Sequence, residues 1–338
     1  MITFDFLISL YFSRQRKETR LKYFQQALDY KSFNIDFSSL EKDVKNWNQN
    51  IGFVSIKDES YPKKLLLLED PPLVLFYYGD IKRINNANYS LAIVGSRNAD
   101  KFGLDYSFRA AKNFANLNVN IISGMALGVD SAAHCGALDS NKQFSTTAVL
   151  GSGLENIYPT RNFKLFNEII ASGGLVISQF EPQERPLAYN FLNRNRIIAA
   201  LSDNIIVIQA SDKSGSLVTA RYGVEQGKDI WVLPGDIFNS RYRGSNKLIQ
   251  QGAQVLTCFE DLAMIYPELK IYSEQINKLD ISINENCKQL FRYIKSTGKI
   301  DFNSLLKKFN INFLNTTLLE LEMQDLIITM PGNFYIAK

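Results

Sequence analysis

From about residue 90 to residue 262, short apolar runs rich in valine, isoleucine and leucine alternate with stretches whose apolar residues recur at helical spacing. Runs of this length and composition predict buried strands, and the stretches between most of them predict helices. The predicted strands span residues 91–95, 119–123, 146–151, 174–178, 204–210, 229–233 and 253–257. Strands that alternate with helices form parallel sheets, so the pattern predicts a doubly wound α/β domain at 90–265.

The pattern changes on both sides of this central domain. Residues 1–60 carry apolar positions at helical spacing and predict a small helical domain. Residues 61–89 pass from a helix stopped by prolines into a short strand, which predicts a connecting segment that packs on the central domain. Residues 283–338 predict a helix, a short strand, two further helices and a β-hairpin, which is the order of a winged-helix-like domain.

Composition and charge narrow the class of protein only a little. The 338-residue chain has a formal net charge of +4, which permits a nucleic-acid partner without requiring one. Its three cysteines are far apart and include no Cys-x-x-Cys pair, so neither a disulfide framework nor a metal site is expected. The apolar residues 2–12 precede the first basic residues, the reverse of a secretory signal, and no run is long enough to span a bilayer. We therefore expect a cytoplasmic protein without membrane insertion.

Small and hydroxyl-bearing residues follow many of the predicted strands. In a doubly wound sheet, ligands bind beyond the carboxyl ends of the strands, so these turns are expected along one rim. Where such a turn leads into a helix N-terminus, the helix dipole and the backbone N–H groups favour an anion. The turns are Gly95-Ser96-Arg97, Ser123-Gly124-Met125, Gly151-Ser152-Gly153, residues 211–216 and Pro234-Gly235-Asp236. The ligand is therefore expected to be anionic.

Residues 214–220 predict a helix N-terminus with several hydroxyl groups and a flexible glycine. Backbone N–H groups at such a terminus suit an anion, but Ser214 and Ser216 equally suit ordinary helix capping. Both interpretations stay open at this stage.

Residues 191–201 predict an apolar helix whose first turns are crowded by Arg194, Asn195 and Arg196. Cations near a helix N-terminus oppose the helix dipole, so they need either a phosphate or an internal carboxylate partner. Phe191 beside them suits stacking on a base, although a core position is favoured for it.

Asp130 and His134 lie one helical turn apart, and His134 is the single histidine of the chain. A general-base pair is conceivable, but no serine or cysteine nucleophile is placed by the sequence to use it. A structural role is favoured, in which Asp130 caps the helix that begins after Gly128 and His134 has a buried polar partner.

Two classes of nucleotide-binding enzyme lack their motifs in this chain. The run from Gly151 to Asn156 has no third glycine and opens a late βα unit, which argues against a nicotinamide cofactor. The chain contains no Gly-x-x-x-x-Gly-Lys-Ser/Thr sequence, so P-loop phosphate hydrolysis has no support in the sequence. No cofactor is expected.

The ordered set of motifs resembles the DNA-processing protein A (DprA/Smf) family, densely from about residue 61 to residue 262. The matching motifs are Tyr61-Pro62 with Asp70-Pro71-Pro72, Gly95-Ser96-Arg97, Ser123-Gly124-Met125-Ala126 continuing to His134, Gly151 with Tyr158-Pro159, Phe191 with Arg194-Asn195-Arg196, Ser214-Gly215-Ser216 continuing to Ala220, and Pro234-Gly235.

This resemblance implies an extended Rossmann domain that binds single-stranded DNA, forms a homodimer and loads the RecA recombinase during natural transformation, without catalysis. It also implies a set of DNA-binding residues, with Arg97 as the strongest contact. They are Gly95, Ser96, Arg97, Ser123, Gly124, Phe191, Arg194, Asn195, Arg196, Lys213, Ser214, Gly215 and Ser216. Asp130 and His134 are expected to be structural.

Three residues depart from the family pattern, where Leu127 and Ala188 replace an arginine and a lysine and Gln179 replaces a glutamate. Residues 311–325 of the winged-helix-like region carry carboxylates and no cation, which would repel phosphate, so a structural or protein-contact role is favoured there.

Two rival classes are kept. One is a Rossmann-fold enzyme of phosphoribohydrolase type, although the glutamate that follows threonine in such enzymes is missing after Thr219. The other is a pure interaction scaffold, which would show no salt-dependent binding of DNA.

Overall fold

A computed structural model of the chain describes residues 4–15, 17–26, 38–140, 142–258, 261–269, 285–323 and 326–337. The chain divides into two compact units, Met1–Ile265 and Tyr266–Lys338. Among the described residues, no helix is long and apolar enough to cross a membrane.

The first unit is built on a nine-stranded sheet in the order β1-β2-β6-β5-β4-β3-β7-β8-β9. All neighbours from β6 to β9 pair in parallel, whereas β1 and β2 pair antiparallel at one edge. The strands are β1 (Gly52–Ser55), β2 (Val74–Tyr78), β3 (Ser90–Gly95), β4 (Asn120–Ser123), β5 (Thr146–Val149), β6 (Leu175–Ser178), β7 (Asn204–Ile208), β8 (Asp229–Leu233) and β9 (Gln254–Val255). The predicted doubly wound, mostly parallel α/β fold is confirmed.

Helices cover both faces of this sheet. They are α1 (Phe4–Ser13), α2 (Lys17–Gln26), α3 (Ser38–Asn46), α4 (Lys82–Asn86), α5 (Lys101–Asn116), α6 (Val129–Asp139), α7 (Phe163–Ala171), α8 (Ala188–Leu201), α9 (Gly215–Glu225), α10 (Arg243–Gln250) and α11 (Leu262–Ile265). Successive side chains of a strand point to opposite faces, so Leu175 and Ile177 join one core cluster and Val176 joins the other. The first cluster packs against α8 and α9, and the second against α1, α3 and α7.

The order of the strands places a crevice at the middle of the sheet. From β3 the chain proceeds through β4, β5 and β6 in one direction, and then crosses back to add β7, β8 and β9 on the other side of β3. Such a reversal between β3 and β7 separates the turns that follow these two strands, and ligands bind at this point in open α/β sheets.

The N-terminal helices belong to the same compact unit as the sheet. Phe6 and Leu10 of α1 share a core cluster with Phe76 of β2, and β1 lies within the span predicted to be helical. Two basic residues of this segment pair with carboxylates, since Arg14 contacts Glu181 at 2.6 Å and Arg20 contacts Asp70 at 2.6 Å. The finer division at residues 60 and 89 stays a prediction.

The second unit contains helices Glu285–Thr297, Phe302–Leu306 and Ile311–Met323 with strands β10 (Ile300–Asp301), β11 (Ile327–Met330) and β12 (Phe334–Ala337). The strands form a small sheet in the order β10-β12-β11, and a separate core includes Leu290, Leu314 and Ile327. The predicted order of elements is present, while the winged-helix assignment itself stays a prediction. Residues 283, 284 and Asp325, which that prediction included, lie outside the described residues.

Candidate functional site

A cleft of about 620 Å³ opens at the carboxyl ends of β3 and β7, where the strand order reverses. Its walls come from the turns after these two strands, from the loop that leads into α6 and from one side of α8. The residues that line it include Gly95, Ser96, Arg97, Asn98, Asp130, Ala188, Phe191, Arg194, Asn195, Lys213, Ser214, Gly215 and Ser216. Most of the residues predicted to bind DNA therefore meet in one place.

The turn after β3 presents Arg97 to solvent. A side chain at Gly95 would collide with the carbonyl oxygen of Ile208, so the missing Cβ lets β3 and β7 stay close up to the turn. The Ser96 hydroxyl accepts a hydrogen bond from the N–H of Asn98 at 3.1 Å, which shapes the turn. Arg97 itself is exposed at the rim of the cleft.

Phe191 lies half-buried beneath Arg97. The guanidinium carbon of Arg97 is 5.4 Å from the centre of the Phe191 ring, a cation–π contact. Gly151 lies close to the same ring, because a Cβ there would come within 2.5 Å of a ring carbon. The glycines of the turn after β5 thus serve packing, which explains why the turn resembles a dinucleotide fingerprint without being one.

The turn after β7 leads into α9 and combines capping with an exposed cation. The Ser214 hydroxyl caps the helix by accepting from the N–H of Ser216 at 3.4 Å, and the two hydroxyl oxygens lie 2.7 Å apart. Asn195 donates to the carbonyl oxygen of Gly215 at 3.1 Å and fixes α8 to this turn. Lys213 is exposed beside this cap. The serines at the start of α9 therefore cap the helix and also line the cleft.

The position of Arg194 does not fit its predicted role as a DNA contact, because its side chain is buried below the cleft and only 3% of the residue is exposed. Its guanidinium donates to the carbonyl oxygen of Gly124 at 2.6 Å and also to that of Val149. Burial lowers the pKa of Arg194 to about 10, although the charge of Asp130 raises it. Of the two explanations left open, the internal partner is the one that the structure supports.

Asp130 completes this buried arrangement from the first turn of α6. Its carboxylate accepts from the N–H of Gly124 at 3.1 Å and from the N–H of Ala126 at 3.4 Å. Asp130 therefore holds the loop that precedes α6. The prediction that it caps the N-terminus of α6 is wrong. Burial raises the pKa of Asp130, and the charge of Arg194 opposes this increase.

The expected position of Arg194 and Arg196 in the first turns of their helix is also wrong. The helix begins at Ala188, so both arginines lie in its middle, where the dipole argument does not apply. Residues two apart on a helix point to different sides. Arg196 accordingly faces away from the cleft, donating to the carbonyl oxygen of Asp70 and, at 2.7 Å, to Gln179. We therefore remove Arg196 from the candidate site.

Ser123 and Gly124 are likewise buried and do not line the cleft. The Ser123 hydroxyl donates to the carbonyl oxygen of Ile93 at 2.6 Å, which joins β4 to β3. Gly124 contributes its backbone to Arg194 and Asp130, as described above. These two residues support the floor of the site and are not positioned to contact a ligand.

His134 is buried and electrically neutral. The Thr146 hydroxyl donates to the carbonyl oxygen of Ile121 at 2.8 Å, so it must accept from Nδ1–H of His134, 2.7 Å away. Burial, followed by the charge of Arg194, lowers the pKa of His134 to about 3. The hydroxyl of Thr146, rather than Asp130, is its hydrogen-bond partner, so the two residues do not form a general-base pair.

The sequence analysis did not include Tyr158 among the candidate site residues, although it noted the Tyr158-Pro159 motif. The Tyr158 and Phe191 rings have centroids 5.5 Å apart, and Tyr158 stands beside the cleft. An aromatic residue in the loop after a rim strand was the available signal. Within the described ranges, no three histidine, cysteine, aspartate or glutamate side chains are grouped to hold a metal ion.

Comparison with known proteins finds a matching family model and similar proteins. The family model of DNA recombination-mediator protein A matches residues 52–267. Protein Smf of Escherichia coli strain K12 is 39% identical over 295 residues, which cover 84% of this chain and 77% of that protein.

Two solved structures are similar over most of their own length. The X-ray structure of DNA processing protein A (DprA) from Streptococcus pneumoniae matches with a TM-score of 0.66 and 31% identity, covering 78% of this chain and 98% of that one. A structure of DNA processing protein A from Helicobacter pylori, reported for its single-stranded DNA binding mode, matches with a TM-score of 0.57 and 33% identity. It covers 64% of this chain and 96% of its own.

Proposed function

Because the chain belongs to the DNA recombination-mediator protein A family, we propose that its cleft binds single-stranded DNA as part of DNA recombination and natural transformation. The observation that carries the proposal is the exposed Arg97 guanidinium lying over Phe191, with Lys213 lining the same cleft. This arrangement offers cations for phosphates and an aromatic surface for bases within one cleft.

The proposed contacts distinguish the state of the strand and not its sequence. Arg97 and Lys213 bind phosphate oxygens, and the Gly95-Ser96 and 214–216 turns complete the walls of the cleft. Phe191 supplies a stacking surface, which accepts any base because every base has a flat face. In a duplex the bases are stacked on each other and unavailable to Phe191.

The protein works without chemistry of its own in this proposal. His134 is fully buried and does not line the cleft, so it is not placed to act on a bound ligand. The glutamate that phosphoribohydrolases carry three residues after the threonine is missing after Thr219. Delivery of the strand to the RecA recombinase, assembly as a homodimer and location in the cytoplasm are part of the proposal. These three features are carried by family membership and by the sequence arguments above.

Fluorescence anisotropy with a labelled single strand and the matching duplex, repeated over a range of salt concentrations, tests the proposal. We expect tighter binding of the single strand, with an affinity that falls steeply as salt rises. Equal or absent binding at every salt concentration would favour an interaction scaffold. Hydrolysis of a nucleoside monophosphate, lost on replacement of His134, would favour the enzyme class.

A further inference from the structure

We propose that Tyr158 is a second stacking position for a base, so that the bound strand leaves the cleft over the loop that follows β5. The inference rests on the proposed single-stranded DNA binding and adds a direction and a residue to it. The contact between Tyr158 and Phe191, the exposure of Tyr158 and the rigidity of its loop carry the argument.

The two rings form one continuous aromatic surface. Their centroids are 5.5 Å apart with 53° between the ring planes, which is within the range of favourable aromatic pairs. Tyr158 is 44% exposed, although aromatic rings of this size are usually buried more deeply. A base that has passed Phe191 therefore meets the Tyr158 ring next.

Phe191 alone offers little free surface. Arg97 lies over one face of its ring, and the backbone of Gly151 approaches it closely. A base reaches the cleft by stacking on the Arg97 guanidinium or by displacing it from the ring. Tyr158 has ring surface that is already open, so a neighbouring base can stack there without moving Arg97.

The loop that holds Tyr158 is fixed on both sides. Asn156 donates to the carbonyl oxygen of Gln183 at 2.7 Å, and its own carbonyl oxygen accepts from the Ser152 hydroxyl at 2.7 Å. On the other side, Asn162 donates to the carbonyl oxygen of Met125 at 2.7 Å and to the Ser131 hydroxyl at 2.9 Å. A ring on a preorganised loop loses little conformational freedom when a base stacks on it.

The charges around Tyr158 are mixed, which separates its contribution from that of Arg97. Arg161 and Arg185 are exposed nearby in the chain, but Glu155 and Glu184 belong to the same pair of loops. Net attraction for phosphate is therefore small, and stacking is the main contribution expected from this position. Replacing Tyr158 should lower the affinity without changing how steeply the affinity depends on salt.

The test uses the full chain with Tyr158→Ala and with Tyr158→Leu, which keeps apolar bulk against Phe191 but has no flat face. Each is titrated with an oligothymidylate and with the same strand carrying one abasic site at each position in turn. We expect both variants to bind the intact strand about 5- to 10-fold more weakly, with an unchanged salt slope and unchanged melting temperature. Tyr158→Phe should bind as the unaltered chain does.

Phe163→Ala is the matched control, because Phe163 is 55% exposed and contacts Phe166 outside the cleft. Its affinity should not change. At one abasic position the effect of Tyr158→Leu should disappear, which identifies the base that stacks there. Unchanged affinity in both Tyr158 variants, or a loss of the same size at every abasic position, would overturn the inference. If Arg97→Ala also left binding intact, the proposed function itself would fail, so the two failures are distinguishable.

Discussion

Arg97 and Arg194 line the same cleft, and each is part of a motif of the family. Their environments nevertheless differ, because Arg97 is exposed and Arg194 is buried. Arg97 is exposed and rests on an aromatic ring, whereas Arg194 is buried and donates to two carbonyl oxygens at the ends of β4 and β5. Burial therefore separates a side chain that contacts a ligand from one that holds the site in shape. Loss of the first should impair binding, and loss of the second should impair folding.

The largest effect is expected for Arg194→Ala, which leaves Asp130 as a buried carboxylate without its positive neighbour. The substitution also leaves the carbonyl oxygens of Gly124 and Val149 without their buried donor. Each unsatisfied buried acceptor costs about 1–3 kcal/mol, so the free energy of unfolding in urea should fall by at least about 2 kcal/mol. Adding Asp130→Asn to this variant should recover part of the loss. Full stability of Arg194→Ala would show that its buried contacts do not hold the floor of the cleft.

The opposite behaviour is expected for Arg97→Ala. Its affinity for single-stranded DNA should fall by about 1–3 kcal/mol, and the salt dependence should become flatter because one phosphate contact is lost. The free energy of unfolding should stay within about 0.5 kcal/mol of the unaltered value, since the side chain is exposed. A variant that unfolds easily but binds normally would reverse the comparison of the two arginines.

His134 is a second buried residue whose contribution to stability can be tested, through the pH dependence of the free energy of unfolding. Its pKa is lowered to about 3 in the folded protein by burial, against 6.5 for an ordinary histidine, so the unfolded chain binds the proton more readily. The stability that neutral His134 contributes is present above pH 6.5 and is lost as the pH falls from there towards 3. His134→Gln should reduce this decline and cost about 1 kcal/mol at neutral pH.

Urea unfolding of both proteins at several pH values within that window provides the measurement. The difference between the two stability curves isolates His134, because the carboxyl groups titrate in both proteins. An identical decline in the two proteins would mean that His134 is not held neutral by burial.

The smallest effect is expected from adding a cation to the exposed side. Ala188 lines the cleft and is exposed at the start of α8. Ala188→Lys should tighten binding of single-stranded DNA and steepen the slope of log affinity against log salt by about 0.7, the value for one added phosphate contact. A slope that does not change would place the phosphate backbone away from this wall.

The fold was largely predictable because its strands are buried on both faces and read as short apolar runs. The strand β1 was missed, since four residues of mixed polarity give no clear pattern and its pairing with β2 is a tertiary event. Turn positions such as Gly95 and Ser214 were predictable because parallel strands bring their carboxyl ends to the same edge of the sheet. The positions of the Arg194 and Arg196 side chains were not predictable. Both residues belong to one sequence motif, but they lie on different sides of the same helix, so Arg194 lies below the cleft and Arg196 faces away from it.

The central claim is that the strand lies in the cleft of the first unit, and photo-crosslinking tests it most directly. A single strand with iodouracil at successive positions, irradiated with the full chain and mapped by mass spectrometry, marks the aromatic residues that contact bases. The account predicts crosslinks to peptides that contain Phe191, with Tyr158 labelled from a neighbouring position of the strand. Crosslinks confined to residues 285–337 or to the N-terminal helices, with Phe191 unlabelled, would contradict it.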